Sequence, residues 1–147
     1  MNEKIVVAQF EGKTFHVGHF KTFWDIEQKL TQSYIDEGFL LPAKYSSGSG
    51  VYHVFYVRET IRAGIIFALV KRAGMLRKPA SELVYAISDH DIDRFRDGEN
   101  KYLCWLTGTD GTISPPMLRD EFEMDDDQSF LGVINVQEII GAIEKAL

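Results

Sequence analysis

The segment YLCWLTGTDGTISPP, Tyr102–Pro116, reads as a strand that doubles back on itself. Tyr102–Thr107 is aromatic or apolar at nearly every position, which suits a pleated, buried surface. Gly108-Thr109-Asp110-Gly111 is turn chemistry that returns the chain along Thr112-Ile113, and Pro115-Pro116 then removes the donors that further pairing would need. Strands joined by so short a turn pair antiparallel, because a parallel pair needs a crossover of about a dozen residues or more.

Downstream, Phe130–Ile134 predicts a last short strand, and Asn135 with Glu138 three residues on forms a capping pattern that opens a helix over Val136–Ala146. Upstream, Ser88 predicts the cap of a short helix, Asp89–Arg96, with Asp89 and Asp91 in the first turn and Gly98 past the end. Glu82–Ile87 reads as a short strand. Thr60–Ala73 contains the β-rich GIIFALV, yet Lys71 and Arg72 before Gly74 are signals of a helix end and predict a helix. Val51–Arg58 carries Val, Tyr and Phe on both faces, the pattern of a central strand, and it follows a packing-poor loop, Ser46–Gly50, expected to be the first site of proteolysis.

Near the start, Ile5–Phe10 and Thr14–Val17 flank Glu11-Gly12-Lys13 and predict a tight hairpin. Thr22 precedes Phe23, Ile26, Leu30 and Tyr34 at helical spacing, with Gly38 at the end and Glu27, Gln28, Lys29 and Gln32 facing water. Hairpins interspersed with helices give an α+β fold: an antiparallel or mixed sheet with helices packed on one side. A doubly wound parallel sheet is the second choice.

At 147 residues and 16.8 kDa the chain is expected to form one domain, 1–147. Its composition, 45% hydrophobic and 12% aromatic, supplies a core, and its longest apolar run, Ala63–Val70, falls far short of the roughly 20 residues that cross a bilayer. A single Cys and no secretory h-region at the start make the cytoplasm the expected compartment. A net charge of -6 opposes binding to nucleic acid unless basic residues segregate onto one face.

Phe15-His16-Val17-Gly18-His19-Phe20 is the sharpest short string, and Ile113-Ser114-Pro115-Pro116-Met117-Leu118-Arg119 follows it in the chain. The first resembles the HxGH signature of the nucleotidyltransferase superfamily, and the second is similar to that family's Ile-Ser string ending in Arg. The resemblance covers these two strings alone. It implies that His16 and His19 stabilise charge on a transferring phosphate, that Gly18 lets the nucleotide approach, and that Ser114 and Arg119 hold the triphosphate of ATP or CTP with magnesium. Read as local structure, the first string is the end of a hairpin strand with Val17 inward.

His16, His19, His53 and Cys104 have metal-ligating chemistry but no metal-site spacing, so neither a metal nor a cofactor is expected. Cys104, between Leu103 and Trp105, reads as a small buried hydrophobe. Lys71, Arg72, Arg77 and Lys78 surround Gly74 and would complement a helix end, or hold an anion. Asp120, Glu121, Glu123, Asp125, Asp126 and Asp127 crowd one segment, with Phe122 and Met124 as apolar anchors among them, and lack the spacing of a calcium loop. The function expected from this balance is a small acidic protein-binding module of the inhibitor, immunity or adaptor kind, docking a basic protein surface through Asp120–Asp127; nucleotidyl transfer is the alternative, and nucleic acid through Lys71–Lys78 ranks last. Nothing in the sequence sets the oligomeric state.

Overall fold

A computed structural model describes residues 12–45, 53–120 and 131–146. Among them are six helices, α1 (Val17–Trp24), α2 (Gln28–Asp36), α3 (Val57–Lys71), α4 (Arg77–Tyr85), α5 (Asp89–Arg96) and α6 (Val136–Ala146). Three strands, β1 (Tyr102–Leu106), β2 (Met117–Arg119) and β3 (Leu131–Asn135), form an antiparallel sheet in the order β2-β1-β3. The fold is α+β. β1 is central: Cys104 lies opposite Met117 on one side and Val133 on the other. The chain leaves β2 at Arg119, opposite Tyr102, and enters β3 at Leu131, opposite Leu106, so positions 120–130 connect opposite ends of β1.

The core is organised around α3, in which every residue from Thr60 to Leu69 is buried. A helix apolar all round is one packed on all sides, and α3 contacts α4, α5, α6 and β3. This explains why GIIFALV, strand-like by composition, is helical: the capping geometry of its ends prevails, with Tyr56 O accepting from both Thr60 N and Thr60 Oγ1 and Gly74 turning the chain at φ +70°. The helices expected at Asp89–Arg96 and Val136–Ala146 form with those bounds, capped by Ser88 Oγ and Asn135 Oδ1.

Five local expectations are corrected. His16 and Val17 do not continue a strand; only Phe15 pairs, with Phe55, and a helix starts at Val17. Thr22 lies inside α1, and the single helix expected after it is divided by Asp25, which takes the left-handed conformation at φ 57°. Glu82–Ile87 is not a strand, since Arg77–Tyr85 is helical, with Pro79 tolerated in the first turn and Ala80, Leu83 and Val84 buried at helical spacing. In the Val51–Arg58 stretch the described part pairs only at Val54 and Phe55, and α3 begins at Val57. The turn after β1 forms as expected, with Thr107 bridged to Ile113, but Pro115-Pro116 does not end pairing, which resumes at Met117. Ile5–Phe10 and Ser46–Gly50 lie outside the described residues.

Candidate functional site

α1 and α2 pack on each other across a three-residue connection, Asp25–Glu27. The turn closes α1 with two bonds, Asp25 N to Lys21 O at 3.0 Å and Ile26 N to Phe20 O at 3.4 Å, and buries Ile26 beneath it. Asp tolerates the left-handed region better than most side chains because it is short and polar. After α2, Gly38 at φ +79° reverses the chain, and residues 43–45 meet 53–55 in antiparallel contact through Lys44 and Val54. Phe15 bridges Phe55 on the far side, so one β-paired leg is shared between the entry to α1 and the hairpin after α2. α1 and α2 are thus two short helices joined by a tight turn, with paired residues 43–45 and 53–55 beside them.

The inward face of α2 buries Thr31, Tyr34 and Ile35. Its other face presents Gln28 and Lys29, both exposed, and Gln32, partly exposed, along the first two turns. Arg77 of α4 fastens α2 from behind, with its guanidinium 4.4 Å from the Tyr34 ring and Nη1 donating to Ser33 Oγ and Glu37. Gln32 Nε2 donates to Asp36 Oδ1 at 2.8 Å and lies 3.3 Å from His53 Nε2 on the hairpin. Tyr45, 59% exposed, sets its ring edge-on to His53. Lys44 is exposed on the same hairpin.

His16 and His19 stand at the start of α1, beside this face. His16 Nδ1 accepts from Gly18 N at 3.1 Å and His19 Nδ1 accepts from His16 N at 3.0 Å, a reciprocal capping box in which imidazoles replace the usual Ser and Glu. The His19 ring stacks on Phe23 and meets Phe15 edge-on. Burial, and next the neighbouring His16, lower the His19 pKa. A Cβ on Gly18 would sit 2.9 Å from His16 Cε1 and 3.4 Å from Gln28 Nε2, so the starts of α1 and α2 lie against each other there.

Ser114 and Arg119 are placed elsewhere. Ser114 Oγ accepts from Leu106 N at 2.8 Å and closes the turn after β1, while Arg119 O accepts from Lys101 N at the end of β2. The open groove of about 460 Å³ that Ser114 lines is formed with Pro79, Glu82, Leu83, Ala86, Gly111, Ile113 and the two prolines; neither histidine nor Arg119 lines it. Cys104 is buried, and burial pushes its thiol pKa up, as for an inert core thiol. Among the described residues no three His, Cys, Asp or Glu converge as a metal site, and no helix is long and apolar enough to cross a membrane. Arg72 pairs with Glu138 and Arg77 with Glu37, which draws two members of the basic cluster into ion pairs. Of the acidic segment, Asp120 is exposed and Glu121, Phe122, Glu123, Met124, Asp125, Asp126 and Asp127 lie outside the described residues.

Charge divides sharply between these regions. The described residues carry 15 Lys and Arg against 15 Asp and Glu; the whole net charge of -6 comes from Glu3, Lys4 and Glu11 and from Glu121, Glu123, Asp125, Asp126 and Asp127. Near α2, Lys21 binds both carboxylates of the turn, Asp25 and Glu27. The sequence signal for this site is two short amphipathic segments before Leu40-Leu41-Pro42; helical spacing alone merges the two helices and hides it. No protein-family model matches the chain, and no curated protein matches it.

Proposed function

We propose that the chain is a double-stranded DNA-binding protein that lays α2 in the major groove, with the hairpin and the start of α1 against the flanking phosphates. The observation that carries this reading is the pair of short helices joined by a tight turn, whose second helix exposes Gln28 and Lys29 and leaves Gln32 partly exposed on its N-terminal turns, the part of a recognition helix that meets base edges. Polar side chains with both donors and acceptors are what base edges require, and Lys13, Lys29 and Lys44 are exposed for the backbone. The net charge is a weaker objection than the composition suggests, because the described residues are neutral as a set.

The test is fluorescence anisotropy on short random-sequence duplexes, followed by selection from a randomised pool. Binding should weaken steeply with salt, and Lys29→Ala with Lys44→Ala should lower affinity and reduce the salt slope by about one for each phosphate that no longer has a lysine beside it. Failure to bind any duplex at 50 mM salt would overturn the reading.

A second reading keeps its own support. The excess acid is concentrated in Glu121–Asp127, whereas the described residues balance their charges, in part through ion pairs such as Arg58–Asp93, Arg62–Asp89 and Arg94–Glu99. That segregation favours a docking segment for a basic protein, and the two functions are compatible in one chain. Nucleotidyl transfer draws no such support: His16 and His19 each commit Nδ1 to the helix cap, and among the described residues the three strands pair antiparallel, without the crevice at parallel strand ends in which open α/β sheets bind nucleotides.

A further inference from the structure

We infer that Gln32 is the principal specificity-determining residue of the DNA site, and that it reads the exocyclic amino group of a base, adenine N6 or cytosine N4, through its carbonyl oxygen. This rests on the DNA-binding reading above. An amide nitrogen only donates: Gln32 Nε2 donates to Asp36 Oδ1 at 2.8 Å and stands 3.3 Å from His53 Nε2, which accepts the second hydrogen in the tautomer that leaves that nitrogen bare. The two amide hydrogens are thereby committed within the protein, one along α2 and one to the hairpin. Oε1 is the group left for a ligand.

A free glutamine pairs with adenine through two bonds, accepting from N6 and donating to N7. With its donors held, Gln32 keeps the first bond and forgoes the second. In the major groove each base pair displays one amino base, adenine or cytosine, and one keto base, guanine or thymine. An acceptor alone distinguishes which strand carries the amino group and does not tell A·T from C·G. The position under Gln32 should therefore be restricted to adenine or cytosine on one strand. Gln28, one turn earlier and exposed, is spared this double restraint, since its Nε2 lies beside Gly18 with no carboxylate partner among the described residues.

Selection from a randomised duplex pool, read as a base-frequency matrix, tests the assignment with three variants. The wild-type chain should select one position holding adenine or cytosine in place of guanine or thymine by about tenfold, the value of one good base contact. Gln32→Ala should make that position indifferent while other positions stay as they were. Gln32→Glu, still an acceptor, should retain adenine or cytosine. Asp36→Ala, which releases one amide hydrogen, should narrow the position to adenine by restoring the second bond. A selected site whose matrix is unchanged in Gln32→Ala, or a bound pool with no sequence selection, overturns the role of Gln32 and leaves DNA binding standing; no bound duplex overturns both.

Discussion

Trp24 Nε1 donates to the main-chain oxygen of Ile139 at 3.3 Å, so the last residue of α1 is held by α6, 115 positions further along the chain. Gly64 of α3 lies directly beneath this joint: a Cβ there would stand 2.4 Å from Ile139 Cγ2 and 2.6 Å from Trp24 Cζ2. The α1–α2 pair is therefore seated on the C-terminal helix through a contact that only a glycine in α3 permits.

Gly64→Ala should destabilise the fold by about 1–3 kcal/mol, the cost of overpacking a site whose neighbours are an indole and a branched side chain rather than flexible chain ends. Gly141→Ala is the matched control, since a Cβ at that α6 position meets nothing within 4 Å. It should stabilise by about 0.5–1 kcal/mol through helix propensity. Urea denaturation of both variants reads the two signs.

His19 predicts an acid-sensitive first helix. Its pKa in the fold lies below the ordinary imidazole value of about 6.5, chiefly because it is partly buried, and its Nδ1 must stay unprotonated to accept from His16 N. The unfolded chain takes up the proton first, so this contribution is complete above about pH 6.5 and is lost as pH falls through the lower folded value. His19→Gln keeps the acceptor of a capping box without titrating. It should match wild type at pH 8 and lose less stability than wild type between pH 6.5 and 5, measured by denaturation at each pH.

The ends of elements decide what can be read from sequence. α5 and α6 are legible because Ser88 and Asn135 are ordinary cap residues, and their bounds follow. α1 is hidden because a histidine does the capping and HVGHF has strand-like composition. α4 is hidden because Leu76 caps it without a side-chain bond, leaving Glu82–Ile87 to look extended. The division between α1 and α2 has no glycine to announce it, since Asp25 takes the left-handed turn. The site is hidden with that division: helical spacing puts Gln28, Lys29 and Gln32 on a solvated face, where they are, but such a face is proposed as a recognition face only because a second helix and the paired residues 43–45 and 53–55 frame it. Such framing is a tertiary property.

Arg58 and Asp93 form a fork between α3 and α5, with Nε to Oδ1 at 2.9 Å and Nη2 to Oδ2 at 2.7 Å. The guanidinium hydrogen bonds hold the Asp93 carboxyl below the usual carboxylate range. Because the Arg58 side chain is 45% exposed, solvent limits the pair, and Asp93→Asn should cost only about 1 kcal/mol at pH 7. The folded carboxyl titrates below the unfolded one, near 3.9, so the contribution is present above that value and disappears as pH falls through the folded pKa. The stability difference between wild type and variant should close in acid, which denaturation at pH 7 and pH 3 checks.

The acidic segment separates the two proposed partners. Asp125, Asp126 and Asp127 supply three of the six excess negative charges, and like charges so close in sequence repel one another and any approaching phosphate. Replacing all three by Asn should leave folding stability unchanged within about 0.5 kcal/mol or raise it slightly, as self-repulsion falls. Duplex DNA should associate faster and bind more tightly at low salt, with the gain vanishing above about 0.5 M where the Debye length falls to a few ångströms. Basic protein partners should respond in the opposite direction, with slower association and a shallower salt dependence. Stopped-flow association with a random duplex, and comparative capture of binding proteins by the two chains, read both responses from one variant. A triple variant that leaves DNA association and protein capture both unchanged would reduce Asp120–Asp127 to a solvated connection between β2 and β3, and would remove the support for the basic partner while leaving the DNA-binding reading to stand on α2 alone.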